Sequence, residues 1–226
     1  MVEAMSETQQ INQQAQRATE VFETSGVPQQ RGRVLLGSVA AVFMLLFSLA
    51  GIVASAELLW SEMELLADPN TALICDVNVL IGCSDSLLSW QAHLLTLPNA
   101  LFGLILFAAT ATIAVVQVAR VALPRWMWLG LMAGTIVGVT LVGFFVAQSV
   151  GQFRVVCPFC MVVWAATLGL TVLIWLGGLQ HAKSPKVAAT GNTLMGLSWA
   201  IILCLYLVVV LVVAIVLRDQ LALTFG

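Results

Sequence analysis

The chain has 226 residues, 61% of them hydrophobic and only 9% charged, with a formal net charge of -2. An ordinary soluble domain carries roughly 25% charged residues, and a chain with a mean hydropathy of +1.02 lacks the polar surface to cover itself in water. Nine basic residues leave no cationic face for neutralising phosphates, which excludes a nucleic-acid binder.

Residues 1–33 are polar and rich in glutamine, and are expected to form a cytoplasmic tail with too few apolar anchors to fold alone. Residues 34–56 carry no charge. About 20 residues rising ~1.5 Å each cross the ~30 Å hydrocarbon layer, so this run is read as the first membrane span. Ala54-Ser55-Ala56 imitates a leader cleavage site, but the run is longer than the h-region of about 7 to 15 residues that a leader uses.

Residues 57–98 bring the acids Glu57, Glu62, Glu64, Asp68, Asp76 and Asp85 together with short apolar patches. This composition predicts a long loop with short helices lying on the mouth of a bundle, and Trp60 and Trp90 at headgroup depth. Four further uncharged spans follow at 99–119, 126–148, 155–177 and 194–217. The fold class is therefore an all-α integral membrane protein, because helices satisfy their own backbone groups in lipid. The membrane domain is 34–217, followed by a short tail over 218–226 on the outer side.

Arg17, Arg31, Arg33, Arg120, Arg125, Lys183 and Lys186 fall on one side of these spans, which the positive-inside rule makes cytoplasmic. Arg154, Arg218 and the six loop acids take the other side, where disulfides persist. Trp126, Trp128 and Trp175, at span ends, are expected in the interfacial aromatic belt. Cys204, about ten residues and ~15 Å into the fifth span, is read as a small buried hydrophobe. His93 reads as a structural interfacial residue.

Four of the five cysteines form two close pairs, Cys75 with Cys83 and Cys157 with Cys160. Cys157-Pro158-Phe159-Cys160 is a C-x-x-C at the amino end of the fourth span, where unsatisfied amides and the helix dipole stabilise a thiolate. Arg154 adds positive potential. A zinc site is the competing reading of two cysteine pairs, but Cys75 and Cys83 are farther apart than the two to four intervening residues usual in zinc sites. A static disulfide within C-x-x-C closes too short a loop to restrain much chain entropy. Two pairs on one face suggest a relay from a soluble dithiol to a lipid-soluble acceptor, most naturally a quinone.

The order Cys75-Asp76, Cys83-Ser84, Ser89, Pro98-Asn99-Ala100-Leu101-Phe102-Gly103 and Cys157-x-x-Cys160 resembles the vitamin K epoxide reductase family, specifically its bacterial members. The resemblance covers residues 34 to about 217. It implies a four-helix catalytic bundle with a fifth transmembrane helix at its side and a quinone site near the outer ends. Carried over by residue, Cys160 faces the quinone, Cys157 exchanges with Cys83, and Cys75 meets a partner thiol. Asn99 would hydrogen-bond a quinone carbonyl, with Phe102 and Trp164 at the same site, and Ser89 would support the loop or pocket. Trp164 departs from the tyrosine often found there in the vertebrate enzymes, which suits stacking on a quinone ring better than epoxide recognition.

The expected function is a membrane thiol:quinone oxidoreductase using a menaquinone or ubiquinone type acceptor and no metal. Many bacterial relatives carry a fused thioredoxin-like domain after a fifth helix, whereas this chain stops at Gly226. The expected partner is then a separate extracytoplasmic thioredoxin-fold, DsbA-like protein that oxidises exported proteins. Two alternatives stay open: vitamin K epoxide or quinone reduction as the main role, and a non-catalytic membrane scaffold that binds metal or is stapled by disulfides. On the residues alone, Asn99 also suits a helix cap, Ser84 and Ser89 suit loop hydroxyls, and Asp76 and Asp85 suit loop solvation.

Overall fold

A computed structural model of the chain describes residues 33–76, 81–89, 97–149, 151, 155–216 and 218. Most of the expected polar tail, the C-terminal segment from 219, Trp90, His93 and Arg154 lie outside the described residues. Among the described residues, five helices are long and apolar enough to cross a membrane: α1 (Ser38–Ala67), α3 (Asn99–Val118), α4 (Arg125–Gln148), α5 (Pro158–Gln180) and α7 (Ser198–Val216). Two shorter helices, α2 (Ser84–Leu87) and α6 (Pro185–Gly196), lie in the connections.

The main departure from the sequence reading is α1, which continues through Ala67, past the acids expected to end it. Glu57 and Glu64 end the uncharged run but not the apolar period, since Leu58, Glu62 and Leu65 form one buried face at i, i+4 and i+7. At 30 residues, α1 is ~45 Å long and overshoots the ~30 Å hydrocarbon core. Its last turns therefore stand at or beyond the membrane edge. Trp60 is exposed there, and its indole N–H donates to Glu64 Oε1 at 2.8 Å.

α1 packs most extensively on α3 and α5, and α4 lies against α5. The α1–α3 approach is close because Gly51 faces the Phe107 ring and Gly103 faces Ser55. The main core runs through Ala41, Met44, Ala114, Leu170, Leu173 and Ile174. Trp128 belongs to this core and not to an interfacial belt: it is 1% exposed and donates to the Ile174 carbonyl at 3.0 Å. Trp126 is exposed, and Trp175 donates to Thr135 Oγ1.

α7 is the fifth span at the side of the four-helix bundle. It contributes no buried residue, and Tyr206 Oη ties it to the Ala165 carbonyl of α5 at 2.7 Å. Cys204 is exposed on this helix, not buried as its depth in the span suggested. Depth along a span fixes distance from water, whereas the packing of neighbours decides burial, and α7 has few neighbours.

The end of the bundle away from the cysteines is closed by polar contacts. Gln117, fully buried, accepts from the Leu36 amide at 3.1 Å and donates to the Val34 carbonyl at 3.2 Å. Arg120 ends α3 with φ 63° and donates to the Leu36 carbonyl and Ser38 Oγ. The short strand ending at Val34 pairs with Leu123–Pro124.

Candidate active site

Cys75 and Cys83 form a disulfide. They sit in an apolar nest with Leu58 and Leu65 of α1, Leu73, Leu87 and Cys157, and each of the three cysteines is at most 2% exposed. Ala100, Phe159, Cys160 and Val163 pack on the outside of this nest. Water is thus largely excluded from the sulfurs.

The loop holds its shape through Asp76. Its carboxylate accepts from the Cys83 amide at 2.7 Å, from the Ser84 amide at 3.3 Å and from the Ser84 hydroxyl. Asp76 therefore clamps the loop instead of merely solvating it. Burial opposes its ionisation, but the bonds from the Ser84 hydroxyl and the Cys83 and Ser84 amides outweigh that and hold its carboxyl below the ordinary value. Gly82 fits beneath the clamp, where a Cβ would come within 2.8 Å of Asp76 Oδ1.

Two serines continue the support. Ser86 Oγ donates to the Cys83 carbonyl at 2.8 Å, and Ser89 Oγ donates to the Ser86 carbonyl at 2.7 Å. Ser89 thus reaches the cysteine loop through one intermediate residue. Ile81 forms a parallel bridge with Val156, laying the segment before Cys83 beside the segment before Cys157.

That bridge sets the sulfur geometry. Cys157 Sγ lies 3.0 Å from Cys83 Sγ, across 74 positions of sequence. Cys157 is the N-cap of α5, with Pro158 at the first helical position, and its sulfur accepts from the Cys160 amide at 3.4 Å. A hydrogen bond from the Cys160 thiol holds the Cys157 thiol below its ordinary value. Burial and the Asp76 charge oppose this, and the amides of Cys160 and Phe159 reinforce it.

Cys157 and Cys160 are free thiols beside an oxidised loop pair. The Cys75–Cys83 bond also removes two sulfurs from any four-thiolate zinc set, and among the described residues no group of three metal-ligating side chains occurs.

Residues 42–175 match the family described as vitamin K epoxide reductase. The chain belongs to the vitamin K epoxide reductase family. The match runs from α1 into α5 and takes in all four paired cysteines and four of the five spans. No individually curated protein matches the chain. As a vitamin K epoxide reductase family member, it is a multi-pass membrane protein among oxidoreductases that act with quinone-type substrates.

The remaining expected site residues take clear positions in this family member. Asn99 is the first residue of α3, next to Ala100 of the nest; the N-cap is Pro98, so Asn99 does not fill the cap position. Phe102 lies one turn further along α3 and is half-buried. Trp164 lies one turn beyond Cys160 on α5 and is 4% exposed. Among the described residues, neither aromatic packs into the cysteine nest itself. Asp76 and Gly82, which shape the cysteine loop, are the residues that sequence reasoning undervalued. The signal was present as an acid directly after the first cysteine, seven residues before the amide it caps.

Proposed function

We propose that the protein is a membrane thiol:quinone oxidoreductase that reoxidises a thioredoxin-fold partner and reduces a membrane quinone, driving disulfide formation in exported proteins. The observation that carries this reading is the 3.0 Å approach of Cys157 Sγ to Cys83 Sγ within the Cys75–Cys83 disulfide. Thiol–disulfide exchange needs this contact between an attacking sulfur and one member of a disulfide.

The reaction runs in balanced steps. A dithiol partner attacks Cys75 and reduces the loop disulfide, leaving its own sulfurs oxidised. Cys83 then attacks Cys157 of a Cys157–Cys160 disulfide and Cys160 leaves. Cys75 next attacks Cys83 and releases Cys157, whose lowered pKa makes it a good leaving thiolate. Two electrons have now moved from the loop to α5. The Cys157 and Cys160 thiols then give two electrons and two protons to the quinone, which becomes a quinol as the Cys157–Cys160 disulfide re-forms. Asn99 offers an amide to a quinone carbonyl, and Phe102 and Trp164 offer aromatic faces.

The cysteine end faces outward in this reading. Arg120, Arg125, Lys183 and Lys186 all lie at the helix ends away from the cysteines, and the positive-inside rule makes that end cytoplasmic.

The test is quinone reduction by the purified protein in lipid, with a reduced thioredoxin-fold protein as donor. Wild type turns over, and Cys160→Ser does not. Cys83→Ser keeps activity only with a small dithiol that reaches α5 directly. Equal rates for wild type and Cys160→Ser overturn the reading. Turnover on vitamin K epoxide exceeding turnover on quinone assigns the main role to epoxide reduction.

A further inference from the structure

α1 carries three acids near the cysteine end, and only one of them turns inward. Glu57 and Glu64 are exposed, whereas Glu62 is 3% exposed. Its neighbours on the same helical face, Leu58 one turn before and Leu65 one turn after, both pack in the nest with Cys75, Cys83 and Cys157. Glu62 is therefore set into the wall of the thiol site, on the helix that frames it. A carboxyl is costly at such a buried place, since it gives up hydration that a leucine would not need.

The exchange between the two cysteine pairs has a requirement that sulfurs alone do not meet. Each attacking thiol must lose a proton and each leaving thiolate must gain one, inside a nest from which leucines exclude water.

We propose that Glu62 carries the proton between attacking and leaving thiols during exchange, a role that rests on the thiol:quinone reading above. In the first step the Cys157–Cys160 bond breaks and the Cys83–Cys157 bond forms. The Glu62 carboxylate takes the proton from Cys83 and, as the acid, returns it to Cys160. In the second step the Cys83–Cys157 bond breaks and the Cys75–Cys83 bond forms, and the same carboxyl moves the proton from Cys75 to Cys157. Two electrons go from the loop pair to the α5 pair, and Glu62 ends as it began.

The experiment uses the full chain in lipid nanodiscs with a reduced thioredoxin-fold protein as donor, because a small dithiol bypasses the loop pair, and a short-chain benzoquinone as acceptor. Wild type, Glu62→Gln, Glu62→Asp and the exposed control Glu64→Gln are compared. Loss of a positioned acid–base group costs about a hundredfold, so kcat of Glu62→Gln falls by that factor with the quinone KM unchanged. Glu62→Asp recovers part of the rate, and Glu64→Gln matches wild type. Redox-difference infrared spectra of wild type show a carboxylic acid carbonyl band that Glu62→Gln lacks.

Glu62→Gln turning over within about threefold of wild type overturns the proposal and leaves the thiol:quinone reading standing. Loss of turnover in Glu62→Gln and Glu62→Asp alike, together with loss of the Cys75–Cys83 disulfide by thiol counting, also overturns it, because the residue is then structural. Absence of quinone reduction in wild type instead defeats the reading on which the proposal rests.

Discussion

Cys83 Sγ and Cys157 Sγ are 3.0 Å apart, although one belongs to a loop clamped by Asp76 and the other caps a membrane helix. Only a small motion turns this contact into a covalent bond. In the double variant Cys75→Ser/Cys160→Ser, mild oxidation should therefore link Cys83 to Cys157 nearly completely. The alternative pair left in Cys75→Ser/Cys157→Ser, Cys83 with Cys160, should link far less. Mass spectrometry of non-reduced peptides reads both, and preferential Cys83–Cys160 linkage refutes the geometry.

The lowered pKa of Cys157 depends first on the Cys160 thiol as donor. A depressed pKa means that thiolate persists to lower pH than in an ordinary thiol. Cys160→Ala removes that donor, so the pH midpoint of Cys157 alkylation should rise towards the ordinary thiol value. Alkylation rates with iodoacetamide, followed site by site across pH, check the direction. An unchanged midpoint assigns the effect to the α5 amides instead.

Asp76→Asn weakens the clamp on Cys83 by removing the charge from three hydrogen bonds. Displacing a reacting sulfur by about 1 Å can cost around a hundredfold, so turnover should fall by ~10- to 100-fold while the helical fold is retained. The pH sign follows from the lowered carboxyl pKa. The clamp is complete above the unfolded aspartate value of about 3.9 and is lost only as pH falls through the lower folded value. Activity of Asp76→Asn equal to wild type would falsify the clamp.

Much of this architecture was legible because lipid imposes one rule along the whole chain. Uncharged runs of sufficient length located all five spans, and the start of α3 and the end of α4 fall where the charges and Pro98 put them. The same rule misplaced the end of α1, since a charge marks the membrane edge and not the end of a hydrogen-bonded helix. The cysteine pairs were legible from spacing and order. What spacing left undetermined was how side chains meet: that Asp76 reaches Cys83, that Trp128 turns inward, and that Cys204 does not. Each depends on which face of an element its neighbours cover, and the flat hydropathy of membrane helices carries little of that information.

Gln117 tests the opposite end of the bundle. It satisfies the Leu36 amide and the Val34 carbonyl in a place with no water. Leucine at this position leaves both backbone groups unmet, each at about 1–3 kcal/mol. Thermal denaturation of Gln117→Leu in detergent should show a marked loss of stability, with Gln117→Glu intermediate because it keeps the acceptor. A melting temperature unchanged in Gln117→Leu would show that the clasp contributes nothing.

The same chemical change should have opposite signs at two glycines. Gly51 of α1 faces the buried Phe107 ring so closely that an added Cβ would overlap it. Overpacking of this kind typically costs about 1–3 kcal/mol, because α1 and α3 must separate or Phe107 must leave its rotamer. Gly130 of α4 has nothing within 4 Å of an added Cβ. There alanine only restricts the unfolded chain and favours the helix by up to about 1 kcal/mol. Gly51→Ala should therefore lower, and Gly130→Ala preserve or raise, the denaturation midpoint in mixed micelles. Equal shifts of the same sign would mean that α1 and α3 do not meet at Gly51 and Phe107.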